Sequence, residues 1–136
     1  IVNSKTKITL YRHYKKSDTT LALEDDVPSD FIGLNEEKVK QMYSDWEMIS
    51  FSKEEIKLKK EIDSYPPGFY KIGFIEVNSN EYVAGFTFDE DGKEILYEKT
   101  DFLLEFLDEE AVKKIKDGIY IEGEDAFLSQ FENYID

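Results

Sequence analysis

The chain contains no cysteine, so it can build neither a disulfide framework nor a thiolate zinc site, and cysteine usage does not reveal its redox compartment. Basic side chains are scarce, 17 against 31 acidic ones for a net charge of -14. A field of that sign repels phosphate backbones and anionic headgroups, which excludes direct nucleic-acid binding. No apolar run reaches the roughly 18 residues of a membrane span, and Ile1-Val-Asn-Ser-Lys5 lacks the regions of a signal peptide. Neither Gly-x-Gly-x-x-Gly nor a Walker pattern occurs among Gly33, Gly68, Gly73, Gly85, Gly92, Gly118 and Gly123, so no phosphate cradle is written in the chain. The first residue is not Met, and we expect a processed or trimmed chain whose N-terminal signal or anchor has been removed.

What is present argues for folding. Hydrophobic residues make up 40% and aromatics 15% of 136 residues, which outweighs the 35% of charged residues and suffices for one ordinary core or two small ones. Period-two alternation predicts a strand over Lys7 to Lys15, a turn at Ser17-Asp18 and a second strand around Leu21 and Leu23. Pro28 breaks the pattern, making Glu24 to Asp30 a connection. Asn35 then serves as a helix N-cap with Glu36 and Glu37 in the first turn. Val39, Met42, Tyr43 and Trp46 recur at i, i+3, i+4 and i+7, which predicts one buried helical face. Two further strands, Met48 to Phe51 and Ile56 to Ile62, complete a strand, strand, helix, strand, strand order compatible with a β-grasp arrangement.

Asp63-Ser-Tyr-Pro-Pro-Gly68 is the strongest breaker, and it divides the chain into expected subdomains of residues 1–64 and 65–136. Beyond it, strands around Tyr70 to Phe74, Tyr82 to Phe88 and Ile95 to Glu98 predict a three-stranded antiparallel meander, with turns at Asn78 to Asn80 and Asp89 to Gly92. A helix capped by Asp108 carries Val112 and Ile115 inward and stops at Gly118, and Ile119 to Ile121 suit a short strand. A last helix from near Glu124 stacks Phe127, Leu128, Phe131, Tyr134 and Ile135 on one side. The expected class is α+β.

Candidate chemistry is sparse. Asp89, Asp91, Gly92 and Glu98 match four positions of an EF-hand loop, but Thr87 stands where its first acid belongs and the flanks read as strands, so a solvated hairpin turn is the better reading. His13, the sole histidine, reads as a half-exposed strand residue, since no spacing supplies the orienting carboxylate and nucleophile of a triad. Pairs such as Glu54-Glu55 and Glu109-Glu110 read as solvated edges and helix caps. No catalytic, cofactor or metal set is expected. Tyr65, Pro66, Pro67 and Phe69 are apolar for a connecting loop, which suits either an anchor for a protein partner or packing between the two subdomains.

The run Val27 to Asp63 resembles the bypass-of-forespore C family of spore-forming bacteria in its clostridial form. The likeness rests on Ile32-Gly-Leu-Asn-Glu-Glu37, Tyr43-x-x-Trp46, Phe51-Ser52 and Glu61-Ile-Asp63. The stretch Glu98 to Glu110, with Ile115-Lys-Asp-Gly-Ile119, is similar to the C-terminal domain of the same family. Members often carry cysteines where this chain has Ser17 and Pro66, so any family disulfide is missing here. The resemblance implies a β-grasp domain followed by an α+β domain, an extracytoplasmic location, and a non-catalytic regulatory role restraining a PDZ-containing serine peptidase in forespore signalling. Two other classes stay open: an acidic inhibitor that mimics nucleic acid, suggested by the charge, and a small enzyme using acidic residues.

Overall fold

Alternating apolar residues build the centre of the first sheet. Strand β1, Lys7–Tyr14, sends Ile8 and Leu10 to one face, and strand β4, Glu55–Ile62, sends Ile56 and Leu58 to the same face in matching parallel register. The computed structural model describes residues 1–135. Among these the protein is α+β, with three α-helices and eight strands in two sheets of four. The chain divides into two compact units, Ile1–Ser64 and a second that begins at Tyr65.

In the first unit β2, Thr19–Asp26, pairs antiparallel with β1, and β3, Glu47–Phe51, pairs antiparallel with β4, giving the order β2-β1-β4-β3. A parallel central pair needs a long crossover. That crossover holds a 3-10 turn, Ser29–Phe31, and helix α1, Glu36–Met42. The Asn35 side chain caps α1 by accepting the Lys38 N–H at 3.0 Å. Val39 packs on Ile8, Ile56 and Leu58, with Val2, Val27 and Phe31 closing the core. Strand β2 runs further than the alternation of Leu21 and Leu23 predicts, because Glu24 to Asp26 register with Thr9 to Lys7 and Lys7 forms an ion pair with Asp26.

The helical face predicted from Val39 to Trp46 is corrected. Met42 is 52% exposed and ends α1, while Tyr43 leaves helical geometry with φ -115 and ψ 52. A seven-residue helix cannot carry a residue at i+7 from Val39. Instead a turn, closed by the Trp46 N–H donating to the Tyr43 carbonyl at 3.0 Å, brings Trp46 to the core. There Phe31, Tyr43 and Trp46 meet edge to face at centroid separations of 6.0 and 6.1 Å. The Arg12 guanidinium and Lys60 ammonium lie over the Trp46 ring at 5.1 and 5.7 Å.

In the second unit β5 (Phe69–Val77), β6 (Asn80–Phe88) and β7 (Glu94–Leu103) follow one another as antiparallel neighbours. The sheet has four strands rather than the expected three, because β8, Ile119–Glu122, pairs antiparallel with Phe69 to Ile72 and satisfies the other edge of β5. Helix α2, Glu109–Asp117, is capped by Asp108, which accepts the Ala111 N–H at 2.8 Å. It ends at Gly118, whose φ of 90 favours glycine. Helix α3, Glu124–Ile135, buries Phe127 and Phe131 against Ile72, Val83, Leu104, Ile115 and Ile121. Leu128, expected inward, is 37% exposed, since Phe127 and Phe131 at i and i+4 already define the core stripe and the next residue points about 100° away. No helix among the described residues is long and apolar enough to cross a membrane.

Close approach of α3 to the sheet depends on Gly85. A Cβ there would stand 2.4 Å from the Phe127 ring, itself stacked on Phe131 and Tyr70 at 5.0 and 5.1 Å. Gly85→Ala is therefore expected to lower stability by about 1–3 kcal/mol through overpacking. Chemical denaturation measures this, and an unchanged midpoint would show that Phe127 shifts freely.

Candidate functional site

The second sheet has a face that its helices do not use. Tyr70, Ile72 and Phe74 of β5 pack toward α2 and α3, so the alternate residues Phe69, Lys71 and Gly73 occupy the opposite face. Cross-strand register extends that face into a row, with Leu96 beside Phe86, Phe86 beside Lys71, and Lys71 beside Tyr120. The Lys71 ammonium lies over the rings of Phe86 and Tyr120 at 5.4 and 5.9 Å and donates to Glu94 Oε1 at 2.8 Å. Gly73 gives the lysine stem its room, because a Cβ there would meet Lys71 Cε and the Phe86 ring at 3.2 Å each.

The loop before β5 adds the most tightly clustered ring. Tyr65 stacks on Tyr120 at 4.6 Å and on Phe69 at 5.1 Å, and is tilted against Phe88 at 5.6 Å. The loop is held by backbone bonds from Phe69 N–H to Pro66 carbonyl at 3.3 Å and from Gly123 N–H to Gly68 carbonyl at 2.9 Å. Gly68 has φ 97, a conformation that side chains resist. Tyr65, Phe69 and Phe86 are half-buried and Tyr120 is 37% exposed, so the patch offers aromatic surface held in place by neighbouring rings.

Of the four loop residues singled out from the sequence, the structure brings Tyr65 and Phe69 together in this patch, leaves Pro67 exposed and buries Pro66. Sequence reasoning missed Phe86, Phe88, Lys71 and Tyr120 as companions. The parity of β6 already set Phe86 and Phe88 on one face, but their meeting with Tyr120 depends on the β5–β8 pairing.

His13 lies on the first sheet, beside Glu61 across the β1–β4 register. Its Nδ1 donates to Glu61 Oε2 at 2.5 Å and its Nε2 donates to Asp18 Oδ1 at 2.8 Å. Two carboxylate acceptors require both ring nitrogens to be protonated, so neither offers a lone pair to a nucleophile. Orienting carboxylates are thus present, contrary to the expectation from spacing, yet they tie up the base. The hydrogen bonds to Asp18 and then Glu61 hold the imidazole above its ordinary 6.5. The same hydrogen bond from His13 holds Glu61 below its ordinary 4.5, helped by Lys59.

Asp89 of the EF-hand-like stretch closes a hairpin turn, its Oδ1 accepting the Asp91 and Lys93 N–H groups at 2.9 Å each. No group of three His, Asp or Glu among the described residues is placed to hold a metal ion. Tyr97 of β7 donates to Glu124 Oε2 at 2.5 Å, tying the strand to the first turn of α3, and this bond pushes its phenol up to about 12. Compared with protein-family models and with curated proteins, the chain matches none.

The pinched histidine sets a pH window. Because the folded His13 pKa is raised, its contribution is complete below 6.5 and is lost as pH rises through the raised value. Because the Glu61 pKa is lowered, its contribution is complete above 4.5 and is lost as pH falls through the lowered value. Stability should therefore decline as pH rises from 6.5 through the raised His13 pKa, and His13→Gln should abolish that decline. An NMR titration placing the imidazole at or below 6.5 would contradict the pinch.

Proposed function

We propose that this protein is a non-catalytic protein-binding module that regulates a partner through the aromatic patch of its second unit. The observation that carries the reading is the stacking of Tyr65 on Tyr120 and Phe69 beside Phe88. Rings already fixed by one another lose little conformational entropy on binding, and aromatic anchors of this kind dominate interface energies.

The first unit reads as a β-grasp-like scaffold. Support comes from its element order and from the sheet order β2-β1-β4-β3 with a parallel centre, the helix lying in the crossover. Together with the resemblance of Val27 to Asp63 to the bypass-of-forespore C family, this favours an extracytoplasmic regulator of a spore-forming bacterium. Its partner would be a PDZ-containing serine peptidase of the sporulation signal. A second reading, an acidic mimic of nucleic acid that blocks a basic partner, draws on the net charge of -14.

Binding of the chain to such a peptidase, measured with Tyr65→Ala and Phe69→Ala, tests the proposal. Each substitution should cost at least about 2 kcal/mol, roughly 30-fold in affinity, with circular dichroism confirming that the variants fold. The complex should persist at high ionic strength, whereas mimicry predicts its collapse. Full affinity in both variants would remove the patch from the interface.

A further inference from the structure

The barest aromatic side chain is Phe106. It is 70% exposed and meets Phe102 edge-on at a centroid separation of 6.1 Å. It ends the 3-10 turn Leu104–Phe106, just before the Asp108 cap of α2. The next residue in the chain, Leu107, lines a groove of about 470 Å³ together with Glu109, Val112, Lys113, Lys116 and Asp117. An exposed ring thus immediately precedes, in the chain, a groove whose apolar residues, Leu107 and Val112, stand among charged ones.

The charges on α2 indicate what covers this surface. Its first turn carries Glu109 and Glu110, its second half Lys113, Lys114 and Lys116, and its end Asp117. The helix is therefore neutral within a chain of net charge -14, so two copies meeting along it face less repulsion than the charge of the whole chain implies. A helix that is acidic at its start and basic beyond complements itself when the second copy runs antiparallel. Within one chain Lys114 pairs with Glu110 and Lys116 with Glu81, while Glu109 and Lys113 on the groove rim make no ion pair among the described residues.

We propose that α2 and Phe106 form a two-fold interface with a second copy of this chain. Phe106 of each copy fills the groove over Leu107 and Val112 of the other, and Glu109 of each copy pairs with Lys113 of its mate. Knob and groove are adjacent, so a single two-fold axis satisfies both and the assembly closes at two. This surface is on the helical side of the second unit, away from the aromatic sheet face, and it stands or fails separately from the proposed partner site.

Sedimentation of the full chain over a concentration series up to about 1 mM reads the association. A concentration-dependent dimer is expected, weakened at least tenfold by Phe106→Asp. Glu109→Lys and Lys113→Glu should each weaken self-association, and mixing the two variants should restore a dimer, because each then supplies the charge the other lacks. Phe106 and the two charged side chains lie at the surface, and circular dichroism verifies that each variant is folded. A chain that stays monomeric throughout the series, a dimer indifferent to Phe106→Asp, or a mixture of charge variants no more associated than either alone would overturn the proposal. So would a monomer whose groove instead takes an amphipathic helical peptide.

Discussion

Each sheet has helical cover on one face, and the composition of the other face decides what each unit can do. In the first unit that second face is polar and internally paired. Thr9 donates to Glu55 at 3.1 Å, Lys57 lies 3.9 Å from Glu55 and Lys59 3.5 Å from Glu61, and His13 completes the ladder. Exposed pairs of this type contribute about 0–1 kcal/mol each, but they keep an uncovered sheet soluble. In the second unit the corresponding face is aromatic, which costs solubility and gains an adhesive surface. The two sheets solve the same covering problem with opposite chemistry, and that contrast is the ground for proposing the second as a recognition surface.

Local pattern made much of this fold legible. Asn35 and Asp108 cap their helices as short polar side chains before apolar periodicity should, and the alternation of Ile56 with Leu58 and of Tyr70 with Ile72 marks strand faces turned to a core. The misreadings lie where tertiary contact overrides periodicity. Met42, Tyr43 and Trp46 match a helical stripe in sequence, but the chain turns after Met42, and Trp46 reaches the core from a turn, drawn by Tyr43 and by the cations of Arg12 and Lys60. Strand β8 lies at Ile119–Glu122, where a short strand is expected, but its role as fourth strand of the sheet depends on the unpaired edge of β5, which no local pattern shows.

The site was legible in the same partial way. An apolar loop at Tyr65 to Phe69 stands out in any reading of composition, whereas the rings that hold it come from β6 and β8, and no local rule links them. His13 shows the limit more sharply. Its partner Glu61 is 48 residues away in sequence, so the spacing argument that denied it an orienting carboxylate had no access to the parallel register that supplies one.

Lys71 constrains the chemistry that the aromatic face can accept. The ring faces of Phe86 and Tyr120 that would attract a partner's cation already hold the protein's own ammonium, and Glu94 neutralises it. With side-chain exposure of 19%, that ammonium is largely withdrawn from water. A cationic ligand would have to displace an ion pair and gain only what it replaces. The surface left for the proposed recognition is therefore the apolar end of the patch, Tyr65, Phe69 and the outer part of Tyr120, where burial contributes about 25 cal/mol per Å² and is insensitive to salt. That same arithmetic separates hydrophobic docking from charge mimicry: the acids give the molecule its field, while the proposed partner site draws on the rings.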